Sequence, residues 1–127
     1  MTGILLDTNI LVAMINKTTD QLPRRLREPL AQPALLVAVS VVSPWEIAIK
    51  FASGKLDLFI HPRKIGQWLE AYKLPLLPMT IDHALEVAHP EPATRDPFDR
   101  LLLAVCACEG LKLLTTDTHL AGHRLVY

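Results

Sequence analysis

Short apolar runs and helical patterns alternate along this whole chain, and that alternation limits its fold more than any other feature. Ile4 to Asp7 reads as a short buried strand, after which Thr8 or Asn9 caps a helix carrying Ile10, Leu11, Ala13, Met14 and Ile15. Lys17 to Gln21 is polar and reads as a loop. Pro23 to Gln32 reads as a second helix with Pro23 in its first turn, and Leu35 to Val39 as a second strand, apolar on both faces. Ser43 is expected to cap the third helix, with Pro44 in its first position and Gly54 just past its end. Its core face is expected to be Trp45, Ile47, Ala48 and Phe51. A connector from Lys55 to Ile60 leads into a fourth helix, Pro62 to Tyr72, with Ile65, Trp68 and Leu69 inward. Leu76 to Met79 is a third strand, and Thr80 caps a fifth helix running through Ala88. Pro90 and Pro92 make His89 to Arg95 a loop. Pro97 to Glu109 is the most hydrophobic helix and ends at Gly110. Lys112 to Thr115 is a fourth strand, and Arg124 to Tyr127 is a candidate for a last one. Strands alternating with helices call for a parallel sheet of four to five strands covered on both faces, in a single α/β domain over residues 1–127.

Composition narrows the function classes. Half of the 127 residues are hydrophobic, and a chain of this size buries roughly two-thirds of its unfolded surface, so folding needs neither metal nor disulfide. Thirteen basic and thirteen acidic side chains give zero net charge, which argues against holding long nucleic acid by bulk charge but allows a local basic patch. Arg24, Arg25 and Arg27 form one such cluster; Lys50, Lys55, Arg63 and Lys64 form a looser one. Both are compatible with solvated helix faces. No apolar run approaches the roughly 20 residues of a membrane span, and the start, Met1 to Asp7, has no basic leader. A cytoplasmic protein is expected. Cys106 and Cys108, two apart on a helix, cannot easily pair and read as small buried thiols. The scattered glycines form no phosphate-binding loop, and Ser40 and Ser43 lack a serine-hydrolase context. His119 and His123, with Gly122 between them, read as surface residues rather than zinc ligands.

Four acids stand where apolar segments end. Asp7 and Asp117 follow the first and fourth strands, at the strand ends where open α/β sheets bind ligands. Glu46 and Asp99 open helices, in the related strings Ser43-Pro44-Trp45-Glu46 and Asp96-Pro97-Phe98-Asp99. Each has a purely structural alternative. Ser43 and Glu46 match a capping box, Asp96 can cap its helix while Asp99 complements the dipole, and Asp7 and Asp117 can cap turns. As a set, they would gather at one sheet edge and repel one another. Oxygen ligands of this kind suit Mg²⁺ or Mn²⁺, and a divalent ion among them can acidify water and neutralise a scissile phosphate.

The same strings carry a resemblance. Leu5-Leu6-Asp7-Thr8-Asn9, Ser43-x-Trp45-Glu46-Ile47, Arg95-Asp96-Pro97-Phe98-Asp99-Arg100-Leu101-Leu102 and Leu114-Thr115-Thr116-Asp117 resemble, in order and spacing, a PIN-domain protein, and more narrowly the VapC-type toxins of bacterial toxin–antitoxin pairs. The resemblance implies an α/β/α sandwich and a Mg²⁺- or Mn²⁺-dependent endoribonuclease, usually a homodimer silenced by a cognate antitoxin. It implies Asp7, Glu46, Asp99 and Asp117 as the metal-binding catalytic quartet, with Asp7 and Asp99 as first choices for direct ligands. Thr8, Asn9 and Thr115 match supporting positions, and Asp96 stays open between cap and supporting acid. Thr94 stands where related sequences often have His. Arg95, Arg100 or the Arg24, Arg25 and Arg27 cluster are candidates to steer the RNA backbone. Two other readings stay open: an α/β phosphatase with Asp7 as nucleophile, disfavoured by Thr8-Asn9 in place of a second acid, and a catalytically silent binding module.

Overall fold

The computed structural model describes residues 3–127; Met1 and Thr2, read above as part of a start without a basic leader, lie outside the described residues. Strands β1 (Gly3–Leu6), β2 (Val37–Ser40), β3 (Leu76–Leu77) and β4 (Leu111–Leu114) form a parallel sheet in the order β3-β2-β1-β4. On one side of β1, Ile4 pairs with Val37 and Leu5 with Ala38; on the other, Leu5 pairs with Leu113 and Leu6 with Leu114. The chain steps outward from β1 to β3, then returns to lay β4 on the opposite flank of β1. β1 and β4 therefore border the point where strand order reverses, and the crevice beyond their carboxyl ends is the natural ligand site of such a sheet.

Helices α1 (Thr8–Ile15), α2 (Arg24–Leu30), α3 (Val42–Ala52), α4 (Ile65–Ala71), α5 (Ile81–Leu85) and α6 (Pro97–Glu109) complete an α/β/α sandwich. Side chains alternate across β1. Ile4 and Leu6 join Ile10 and Leu11 of α1, Leu26 of α2, Ile47 of α3 and Leu69 of α4 in one core. Leu5 joins Leu113 of β4 and Leu102, Leu103 and Val105 of α6 in the other. Val42, at the start of α3, packs in the second core while Ile47 packs in the first, so α3 lies across the carboxyl edge of the sheet. It touches both α1 and α6 there.

Several expected details change. α1 is capped by Asp7 itself, not by Thr8 or Asn9. α3 starts at Val42, ahead of the expected Ser43 cap, and Ser40 Oγ accepts the Val42 N–H at 3.1 Å. Starting there turns Val42, Ser43, Glu46 and Ile47 inward and leaves Trp45 (56% exposed), Ala48 and Phe51 outward. Of the expected core face only Ile47 is buried, because the inward face of α3 meets a polar crevice at its start and takes Ser43 and Glu46 there. β2 runs to Ser40 rather than from Leu35, and Pro75 and Pro78 confine β3 to two residues. α2 spans only Arg24–Leu30, with Pro29 in its last turn. A 3₁₀ turn, Pro62–Lys64, precedes α4, and another, Thr19–Gln21, sits in the expected loop. α5 ends at Leu85 because Glu86 turns extended. The expected last strand reduces to a bridge between Val126 and Leu113. Cys106 is buried as expected, but Cys108 is only partly so. No helix among the described residues is long and apolar enough to cross a membrane.

Candidate active site

The register of β1 and β4 builds the first half of the site. Leu6 faces Leu114, so the next residues, Asp7 and Thr115, meet beyond the strand ends. Asp7 is buried, 5% exposed; its Oδ1 accepts the Thr8 N–H at 2.6 Å, and its Oδ2 accepts the Thr115 hydroxyl. Burial pushes the Asp7 carboxyl above its ordinary value; the Thr115 and Thr8 bonds oppose this, while the charges of Glu46 and Asp117 add to it. Thr115 Oγ1 also accepts the Asp117 N–H at 3.0 Å, which ties the two strand-end acids together. Asp117 caps the 3₁₀ turn Thr118–Leu120, taking the His119 N–H at 2.9 Å on Oδ1.

α3 and α6 supply the second half. Glu46 is buried on α3, with the Thr8 hydroxyl 2.6 Å from Oε1 and the Lys50 ammonium paired with Oε2. Thr8 Oγ1 also lies 3.1 Å from Ser43 Oγ. Thr8 has one proton, so it donates to the Glu46 carboxylate and accepts from Ser43. The capping box expected of Ser43 and Glu46 is absent: one helical turn into α3, Glu46 faces Thr8 instead of reaching back. Asp99, in the first turn of α6, accepts the Thr94 hydroxyl at 3.2 Å. Its carboxyl is pushed up to about 6, by burial first and then by Asp7, Asp96 and Glu46. Asp96 caps α6 from an exposed position, accepting the Phe98 N–H at 2.9 Å. Asp7, Glu46 and Asp99, far apart in sequence, thus share one field, with Asp117 on the flank of Asp7.

This constellation lies within a match to a family model. The model of the PIN domain matches residues 4–124. The chain belongs to the PIN-domain family. PIN domains are generally nucleases and generally use divalent metal ions. No curated protein matches the sequence.

The PIN domain's donor set suits such an ion. Its acids offer hard oxygens, and the Asp7 and Asp99 carboxyls are both raised, by burial first and by neighbouring carboxylates second, a cost that a divalent cation would relieve. As the side chains stand, no three His, Cys, Asp or Glu among the described residues converge on one point. Mg²⁺ itself keeps several waters and takes only one or two carboxylates directly. Asp7 and Asp99 are the residues that would hold it.

Other expected residues divide. Asn9 is exposed on the first turn of α1 and makes no side-chain hydrogen bond among the described residues. Arg100 is committed to its own loop: Nε donates to the Thr94 carbonyl at 2.8 Å and Nη2 to Glu91. Arg24 pairs with Glu28 at 2.6 Å on exposed α2, and Arg27 borders a groove with Trp68 and Tyr72 rather than the acids. Arg25 and Arg95 are exposed. Three residues of the PIN domain's site were missed. Lys50 was read only as part of a loose basic cluster, although its i,i+4 spacing from Glu46 signalled the pair. Ser43 was read as a cap and is a buried link to Thr8. Thr94, noted only as a missing His, anchors Asp99.

Proposed function

We propose that this PIN domain is a Mg²⁺- or Mn²⁺-dependent endoribonuclease, the VapC-type toxin of a toxin–antitoxin pair acting in the cytoplasm. The carrying observation is that Asp7, beyond the end of β1, and Asp99, at the start of α6, stand close enough for the Asp7 charge to add to burial in raising the Asp99 carboxyl. Asp7 and Asp99 would hold a divalent ion, which would supply positive charge against the phosphodiester and lower the pKa of water. The chain's own residues do the rest. Thr8 and Thr115 hold the Asp7 carboxylate in one orientation. Asp99, pushed up to about 6, exchanges its proton close to neutral pH, and a divalent ion held there would favour its carboxylate form. Glu46 is held in one orientation by the Thr8 hydroxyl and paired with Lys50.

Single-stranded or loop RNA is the substrate class this reading favours, because an A-form helix hides its base edges. Trp45 supports that choice. It is 56% exposed, stands edge-on to Phe98 at 5.3 Å, and each ring precedes a site acid in sequence. An unstacked base beside the site would find an aromatic face there. Arg25 and Arg95, both exposed, are the candidates to approach its backbone. A groove of about 650 Å³ between α1, α2 and α4, lined by Met14, Leu30, Trp68 and Tyr72 among others, is where a cognate antitoxin would dock. Ile81 (70% exposed) and Leu85 (73%) on α5 are candidates for a homodimer contact. The phosphatase reading stays disfavoured by Thr8-Asn9 following Asp7 in place of a second acid.

The test is cleavage of total RNA with Mn²⁺. Asp7→Asn and Asp99→Asn should each lower the rate at least a hundredfold with circular dichroism unchanged. Full activity in either variant would overturn the mechanism. No thermal stabilisation by Mn²⁺ together with no cleavage by the wild type would identify a silent binding module instead.

A further inference from the structure

We infer that Lys50 is a built-in cation of the carboxylate site: it holds Glu46 off direct metal ligation, so that the site takes one divalent ion rather than two. This rests on the metal-dependent reading above and specifies how the chain's residues share the positive charge. Glu46 is 4% exposed, and each of its oxygens is already claimed, Oε1 by the Thr8 hydroxyl at 2.6 Å and Oε2 by the Lys50 ammonium. The pair is local and rigid, set by one turn of α3, so it forms whenever the helix does. A buried carboxylate needs a compensating charge, and here the chain provides it. A second divalent ion at Glu46 would have to displace the ammonium or sit against it, and two cations at one carboxylate repel. Asp7 and Asp99 form no ion pair with a lysine among the described residues: their donors are a backbone N–H and threonine hydroxyls, and the Lys50 charge reaches Asp99 only as a weaker attraction at longer range than its bond to Glu46. The single ion therefore goes to Asp7 and Asp99.

The experiment counts ions without RNA. MnCl₂ is titrated into the full chain by calorimetry, with bound Mn²⁺ counted independently by electron paramagnetic resonance. The wild type should bind one ion. Lys50→Met, a substitution that keeps chain length and helix propensity at a position 39% exposed, should bind two and gain more thermal stabilisation from Mn²⁺. Lys50→Arg should bind one, and Lys50→Met with Glu46→Gln should return to one. Lys50→Gln serves as the second removal variant if Lys50→Met loses its helical spectrum. Two ions in the wild type, or one ion in wild type and both removal variants alike, overturn the inference while leaving the nuclease reading intact. Absence of Mn²⁺ binding in every protein overturns both.

Discussion

Asp99 shows how a single residue carries both the chemistry and its cost. Its carboxyl, ordinarily near 3.8, is pushed up to about 6 by burial and by Asp7 and Asp96. The folded value lies above the unfolded one, so folding favours the protonated form. That contribution is full below about pH 3.8 and is lost as pH rises through 6. In metal-free protein, Asp99→Asn should therefore match the wild type most closely near pH 4 and exceed it at pH 7.5. Discounted for solvent screening of a half-buried group, the gain is roughly 1 kcal/mol, or about 4 °C in Tm. Differential scanning calorimetry at the two pH values checks it, and saturating Mn²⁺ should erase the difference. At this scale, Asp7 and Asp99 were legible as site candidates because strand ends and helix starts are marked by local residue types. The partnership of Glu46 was not. Its capping-box spacing was a sound local signal that lost to a tertiary bond with Thr8, 38 positions away.

Among the elements, α6 was the most legible. Asp96 caps it, Pro97 opens it and Gly110, with φ of 68°, closes it in the left-handed region where a side chain is disfavoured. Those are local signals, and the observed Pro97–Glu109 matches the expected span. Asp96→Ala should cost about 1 kcal/mol of stability in urea unfolding, and Asp96→Ser should recover most of it. α3 was less legible, because its start is set by Ser40 and by the edge of the sheet rather than by a cap of its own. The slip from Ser43 to Val42 looks small, yet it sends Glu46 into the crevice and Trp45 to the surface. Short elements such as β3 and α5 were misjudged in length, since flanking prolines and neighbouring strands decide where pairing stops.

The sheet couples the two cores of the whole molecule. β1 contributes Ile4 and Leu6 to one and Leu5 to the other, and α3 is anchored in both. Ile47→Ala and Leu103→Ala, one per core, should each cost about 2–5 kcal/mol and shift the same single transition. Coincident unfolding curves by far-ultraviolet circular dichroism and tryptophan fluorescence would show it; separate midpoints would mean that the layers unfold independently. The sequence alone determined the alternation of strands and helices, the parallel sheet between two helical layers, and the identities of the four acids. These follow from periodicity and punctuation, which act over a few residues. Only the tertiary structure decided which acids feel one another, which basic residues are spent elsewhere, and that Lys50 belongs to the site. The reason is register: pairing Leu6 with Leu114 sets Asp7 against Thr115, 108 positions away, and no local pattern encodes a contact made by the returning strand.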